Sequence, residues 1–311
     1  MKYRSISILV FIVFITIDQT IAQLNNFDRA YNLGYYTKGK YVKAVSGNRY
    51  IVFGYNMDSW PPYTDGVVNA IATLIDANGD TLKTKKVGSD STFAFFSYAT
   101  SVNDSEFIAV GAYSNGLSNP YDYDIFLAKF NLNLDTLWTK AISDPGTGTA
   151  ALKVNTIIKT SDGNFVIGGY QNDWCCAWFT SFLMKINGNG NMLWYHNYTQ
   201  LSHHTIWGVA EATNGDLICS GTSIPYPGAN ESNMLIAKTD SLGNNYQVLQ
   251  NIATTDRNYG TQVQSTYDNN FIVSGEFRGC FICDAYSWGI LIDGNGNIIW
   301  DKKYAQGSNG S

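Results

Sequence analysis

The residues best suited to chemistry in this sequence are aromatic, and they cluster in five long, irregular stretches. Trp60 and Tyr63 lie in the first, Tyr121 and Tyr123 in the second, Trp174 and Trp178 in the third, Tyr226 in the fourth, and Tyr286 and Trp288 in the fifth. Flat rings beside Asn and Asp suit sugar faces and protein hot spots, because they bury much area at little entropic cost. Trp60, Tyr63, Tyr121, Tyr123, Trp174, Tyr226 and Tyr286 are therefore the candidate ligand-binding residues. Trp178 and Trp288 stand closer to strands and are expected to pack inside the fold. The same stretches carry carboxylates, among them Asp58, Asp65, Asp124, Asp173 and Glu276. Glycoside hydrolysis needs only two carboxylates at the right separation. Sequence spacing does not set that separation, so binding and catalysis both stay open.

Other chemistries find less support. His203-His204 falls in a connecting loop without the His-Glu-x-x-His spacing of a zinc site. Asp76-Ala77-Asn78-Gly79-Asp80 lacks the Glu that completes a calcium loop and reads as a hairpin turn. No Gly-x-Ser-x-Gly and no phosphate loop occurs, and no metal or cofactor is expected. Of the five cysteines, Cys280 and Cys283 are spaced for a local disulfide, Cys219 sits on an apolar strand and is expected to be buried, and the odd count leaves at least one thiol free.

The elements that must position these residues follow from a repeat. Five apolar runs end in glycine: Tyr50 to Gly54, Phe107 to Gly111, Phe165 to Gly169, Leu217 to Gly221 and Phe271 to Gly275. Those glycines are 57, 58, 52 and 54 residues apart. A turn-like landmark at Asp76, Asn131, Asn187, Asp240 and Asp293 recurs at 55, 56, 53 and 53 residues. Seven residues beyond it stand Lys83, Trp138, Trp194, Gln247 and Trp300. Each unit reads as four short strands, with Asp-Gly and Asn-Gly hairpin signals between apolar runs. A period near ~50 residues with four strands per unit is the signature of a β-propeller. The second strand of each unit is almost continuously apolar, which predicts burial on both faces. In such a meander the first-to-second and third-to-fourth turns share one face. The long aromatic loops share the other, and function belongs there, on loops held by a rigid scaffold.

The segments Thr160-Ser161-Asp162-Gly163-Asn164-Phe165-Val166-Ile167-Gly168-Gly169-Tyr170 and Lys185-Ile186-Asn187-Gly188-Asn189-Gly190-Asn191-Met192-Leu193-Trp194 resemble the propeller repeats of secreted proteins from bacteria with a type IX secretion system. The likeness runs from about Phe27 onward and implies an all-β propeller exported from the cell. Such proteins usually end in a sorting domain, and this chain shows none. Sialidase-type Asp boxes space the glycine and tryptophan one residue closer than Gly190 to Trp194 does, so no sialidase residue is carried over.

The N-terminus supports export. Lys2 and Arg4 precede an apolar run, Ile6 to Ile17, too short for the ~20 residues of a helical span. Residues 1–22 read as a signal peptide cleaved after Ala22, and 23–311 as one repeat domain with units at approximately 40–88, 97–143, 152–199, 206–252 and 260–304. Charged residues make up 14% of the chain against roughly 25% in an average domain, and aromatics also reach 14%. A net charge of −5 without a basic stripe argues against nucleic acid as a partner. Phe27-Asp28-Arg29-Ala30-Tyr31 mirrors Trp300-Asp301-Lys302-Lys303-Tyr304, so the mature chain opens with an extra copy of a fourth strand. Because the fifth unit already has its own, the expectation is a truncated sequence lacking at least one unit; the rival is a five-bladed ring with a spare strand. The functional expectation is a secreted or cell-surface module binding a glycan or a protein. A propeller glycosidase or lyase and a structural spacer are the alternatives.

Overall fold

A computed structural model describes residues 36–57, 68–88, 93–114, 123–145, 151–173, 178–199, 203–224, 232–252, 257–278 and 285–304. They form twenty strands and no helix. Residues 1–22, expected to be a signal peptide, together with Phe27 to Tyr31, Cys280 and Cys283, lie outside the described residues. Sheet 1 comprises β1 (Tyr36–Val45), β2 (Arg49–Met57), β3 (Val68–Ile75) and β4 (Thr81–Val87). Sheet 2 comprises β5 (Phe93–Asn103), β6 (Glu106–Ser114), β7 (Asp124–Asn131) and β8 (Thr136–Ile142). Sheet 3 comprises β9 (Ala151–Lys159), β10 (Phe165–Asp173), β11 (Trp178–Ile186) and β12 (Met192–Tyr198). Sheet 4 comprises β13 (His203–Glu211), β14 (Leu217–Ile224), β15 (Asn233–Thr239) and β16 (Gln247–Ile252). Sheet 5 comprises β17 (Arg257–Ser265), β18 (Phe271–Arg278), β19 (Ala285–Ile292) and β20 (Ile298–Tyr304). Each is an antiparallel meander, and a single parallel bridge, Val68 to Phe93, joins sheets 1 and 2 into one mixed sheet.

The recurrent turn is built by one side chain. Asp76 accepts the backbone N–H groups of Asn78 and Asp80 at 2.9 and 2.8 Å. Asn131, Asn187, Asp240 and Asp293 repeat both bonds. This turn mimicry is why Asp or Asn leads every copy and no carboxylate cage is needed.

The recurrent glycine has a different cause. Every first strand carries a β-bulge, at Lys40, Ser97, Asn155, Trp207 and Thr261. Beside each bulge a first-strand carbonyl presses onto the second strand: that of Lys38 on Gly54, Phe95 on Gly111, Lys153 on Gly169, Thr205 on Gly221 and Tyr259 on Gly275. A Cβ at any of these glycines would fall inside the carbonyl oxygen. The bulge also explains where the strands begin. Alternation is broken by one residue there, so the sequence pattern starts near the bulge, whereas β1, β5, β13 and β17 begin three or four residues earlier. His203 and His204 are thereby the first residues of β13 rather than loop residues. Both are buried, His203 with its ring 6.1 Å from Phe179 and His204 with its ring 6.0 Å from Tyr246.

Consecutive sheets stack face to face over four apolar clusters, one at each junction. The interior sheets are therefore buried on both faces; every residue of β14 except Ile224 is buried. Cys219 lies in this layer, and burial pushes its thiol up to about 12. Fourth-strand side chains fasten three of the junctions further. Trp138 packs on Gly190 (φ 72°) of the next sheet, Trp194 on Gly243 (φ 78°), and Leu249 takes the same place on Gly296 (φ 87°). Sheet 1 has Lys83 where Trp would stand, and it pairs instead with Asp135 at 3.1 Å. The turn it faces places Leu134, not glycine, at φ 58°, and that side chain is fully buried in the first junction. No extensive contact joins sheet 5 to sheet 1 among the described residues.

Candidate functional site

The long-loop ends of sheets 1 and 2 meet where the Val68–Phe93 bridge ties them. There a cleft of about 220 Å³ is lined by Lys40, Tyr55, Met57, Val68, Phe93, Phe95 and Tyr123. Its wall is a run of aromatic neighbours. Ring centroids are 6.0 Å apart for Tyr55 and Phe95, 6.3 Å for Phe95 and Tyr123, 5.4 Å for Phe93 and Tyr123, and 6.3 Å for Tyr36 and Tyr55. Met57 and Val68 close its floor and are buried, while the four rings stay half-buried. Burial and the neighbouring Tyr36 raise the Tyr55 phenol above its usual range. Burial and Lys38 lower Lys40. The cleft thus presents half-buried ring faces and one exposed cation.

Of the candidate ligand-binding residues, Tyr123 lines this cleft. Tyr286 lies in sheet 5, its ring 6.1 Å from Phe277, so the structure does not bring the two together. Trp60, Tyr63, Tyr121, Trp174 and Tyr226 lie outside the described residues. Trp288 is buried at the junction of sheets 4 and 5, as its nearness to a strand suggests, with the Lys303 ammonium 4.8 Å from its ring centroid. Tyr55, Phe93 and Phe95 belong to strands and not to the long loops, and the alternation in Phe93-Ala94-Phe95 is the sequence signal that marks two of them. Among the carboxylates, Asp124 opens β7 and Glu276 lies in β18, whereas Asp58 and Asp65 are not described.

A larger cavity of about 700 Å³ lies among the first strands of sheets 2 to 5, toward their tight-turn ends. Tyr98, Ile158, Val209 and Gln262 line it. Its two charged residues are already committed to holding the sheets together. Lys159 donates to the Val102 carbonyl at 2.7 Å, and Glu211 accepts from the Ser161 amide and hydroxyl at 2.7 and 2.9 Å. The aromatic cleft, with half-buried rings and a cation, is the better candidate for ligand contact.

No protein-family model and no curated protein matches the sequence. Solved structures do. One is an ulvan lyase of polysaccharide lyase family PL25 bound to -[GlcA(1-4)Rha3S]-, at a TM-score of 0.59 and 11% identity, covering 84% of this chain and 68% of that one. Another is a Trypanosoma rangeli sialidase mutant displaying trans-sialidase activity, at a TM-score of 0.55 and 11% identity, covering 88% of this chain and 49% of that one. At such identities the likeness is one of fold. Among the described residues, no helix is long and apolar enough to cross a membrane and no three metal-ligating side chains gather.

Proposed function

We propose that the five sheets are blades of a β-propeller and that the protein is a glycan-binding module, exported to the cell surface or medium, whose ligand seats on the long-loop face. The observation that carries this reading is the cleft of Tyr55, Phe93, Phe95 and Tyr123, four rings held at fixed spacing by two sheets tied at Val68 and Phe93. Rings already immobilised lose little further entropy when a sugar stacks on them. Face-to-face stacking of consecutive four-stranded sheets and the fold likeness to two glycan-active propeller enzymes support it. Export rests on Lys2, Arg4 and the apolar run Ile6 to Ile17, and the type IX class on the repeat likeness.

A glycan-array screen of the purified protein, scored in parallel for newly released sugar ends, tests the reading. Binding is expected, and Tyr123→Ala should weaken it about tenfold without lowering the melting temperature by more than a few degrees. An array with no bound glycan overturns it. The fold likeness to a lyase and a sialidase favours a second reading, turnover by carboxylates of the long-loop face; release of sugar ends selects it over simple binding.

A further inference from the structure

The bulge residue of the first strand is equivalent in all five sheets, and four of the five are uncharged. Asn155 spends its side chain on the fold, donating to the Ile206 carbonyl of the next sheet at 2.7 Å. Thr261 donates to the Ser274 carbonyl at 3.1 Å. Trp207 lies 6.2 Å from the Tyr170 ring, and Ser97 holds the same place in sheet 2. Lys40 differs from all of them. It is the extra residue between Gly39 and Tyr41 in the register of β1 on β2, and it lines the aromatic cleft. A bulge re-aims the side chain it carries. The Lys40 ammonium has no hydrogen-bond or ion-pair partner among the described residues, and its charged neighbour is another cation, Lys38.

The same strand extends this charge: β1 contributes Lys38, Lys40 and Lys43 and carries no Asp or Glu. Sheet 1 thus has a cationic inner strand in a chain whose net charge is −5. Lys40 is exposed at the rim of the cleft, where its ammonium can give an anionic ligand a charge-assisted hydrogen bond. A neutral sugar brings no countercharge.

We infer that the cleft between sheets 1 and 2 selects an acidic sugar unit, its ring stacked on Tyr55, Phe95 and Tyr123 and its anionic group bonded to Lys40. This rests on the glycan-binding reading above. The chemistry required is an anion on a pyranose, which a uronate carboxylate or a sulfate ester can each supply. Lys40 then acts as a specificity residue, with the rings contributing affinity that does not depend on charge.

Affinity electrophoresis of the full chain in native gels separates these cases, using alginate as a polyuronate, carrageenan as a sulfated galactan and hydroxyethylcellulose as a neutral polymer. Retardation by alginate or carrageenan, and not by hydroxyethylcellulose, is expected. Whichever of the two retards the protein identifies the anion. Lys40→Gln should raise the apparent Kd about tenfold, the size of one charge-assisted contact of ~1.4 kcal/mol. Lys40→Arg should restore most of the loss, a rescue that a structural role at an exposed bulge would not show. Equal retardation by the neutral polymer, unchanged by Lys40→Gln, overturns the inference while leaving the glycan reading standing. No retardation by any of the three overturns the inference, and the array decides the broader reading independently.

Discussion

Gly111 faces the Phe95 carbonyl across the bulge of β5, and the space a Cβ would occupy is already filled by that oxygen. Its conservation through the repeat is steric, since the same approach recurs at Gly54, Gly169, Gly221 and Gly275. Gly111→Ala must therefore displace a strand in the layer between sheets 1 and 2, where Phe107 and Ala109 are buried. The expected loss is about 3 kcal/mol or more, as for other overpacked cores. Urea unfolding would register it as a lower midpoint at unchanged slope. A loss under about 1 kcal/mol would mean that the bulge relaxes, and that the glycine is retained for another reason. Gly188 makes a control, because a Cβ there meets nothing within 4 Å.

Between neighbouring elements the same junction is filled in two ways. At three junctions a fourth-strand side chain, Trp138, Trp194 or Leu249, lies on a glycine of the next turn. At the first, Leu134 occupies the turn position itself, accepting a left-handed backbone that costs a non-glycine residue about 1 kcal/mol. Its side chain is fully buried, and deleting a buried leucine costs about 2–5 kcal/mol. Leu134→Gly should therefore destabilise by about 1–4 kcal/mol despite relieving the strain, a sign that thermal unfolding can check; a stabilised variant would show that the backbone strain outweighs the buried side chain. These elements also show what was legible beforehand. Turns led by Asp76 or Asn187 and doubly buried strands such as Phe165 to Gly169 announce themselves through composition and local periodicity. The bulges did not, because one extra residue shifts the alternation that reveals a strand. The cleft was legible only at Tyr123: its other rings sit in strands of two different sheets, and no sequence period says that Tyr55 and Phe95 converge.

At the scale of the whole molecule, three of the four junctions repeat one packing rule, and among the described residues sheets 1 and 5 form the two ends of the series. Trp300 occupies in sheet 5 the place that Trp138 and Trp194 occupy in sheets 2 and 3. It lies beside Gly289 of its own sheet, with the Lys302 ammonium 5.9 Å from its ring centroid, rather than on the turn of a further described sheet. Trp194, in contrast, is wedged on Gly243 beside Tyr246 in the cluster joining sheets 3 and 4. If the stack holds together through these wedges, equal chemistry at the two sites has unequal consequences. Trp194→Ala should cost about 3 kcal/mol, in the range for deleting a packed aromatic ring. Trp300→Ala should cost under about 1 kcal/mol, as for a surface substitution. Equal losses, measured by urea unfolding of the full chain, would mean that Trp300 is seated on a neighbouring sheet in solution and that the series closes on itself. Unequal losses would mean that no further sheet covers the face of sheet 5 that carries Ile272 and Trp300.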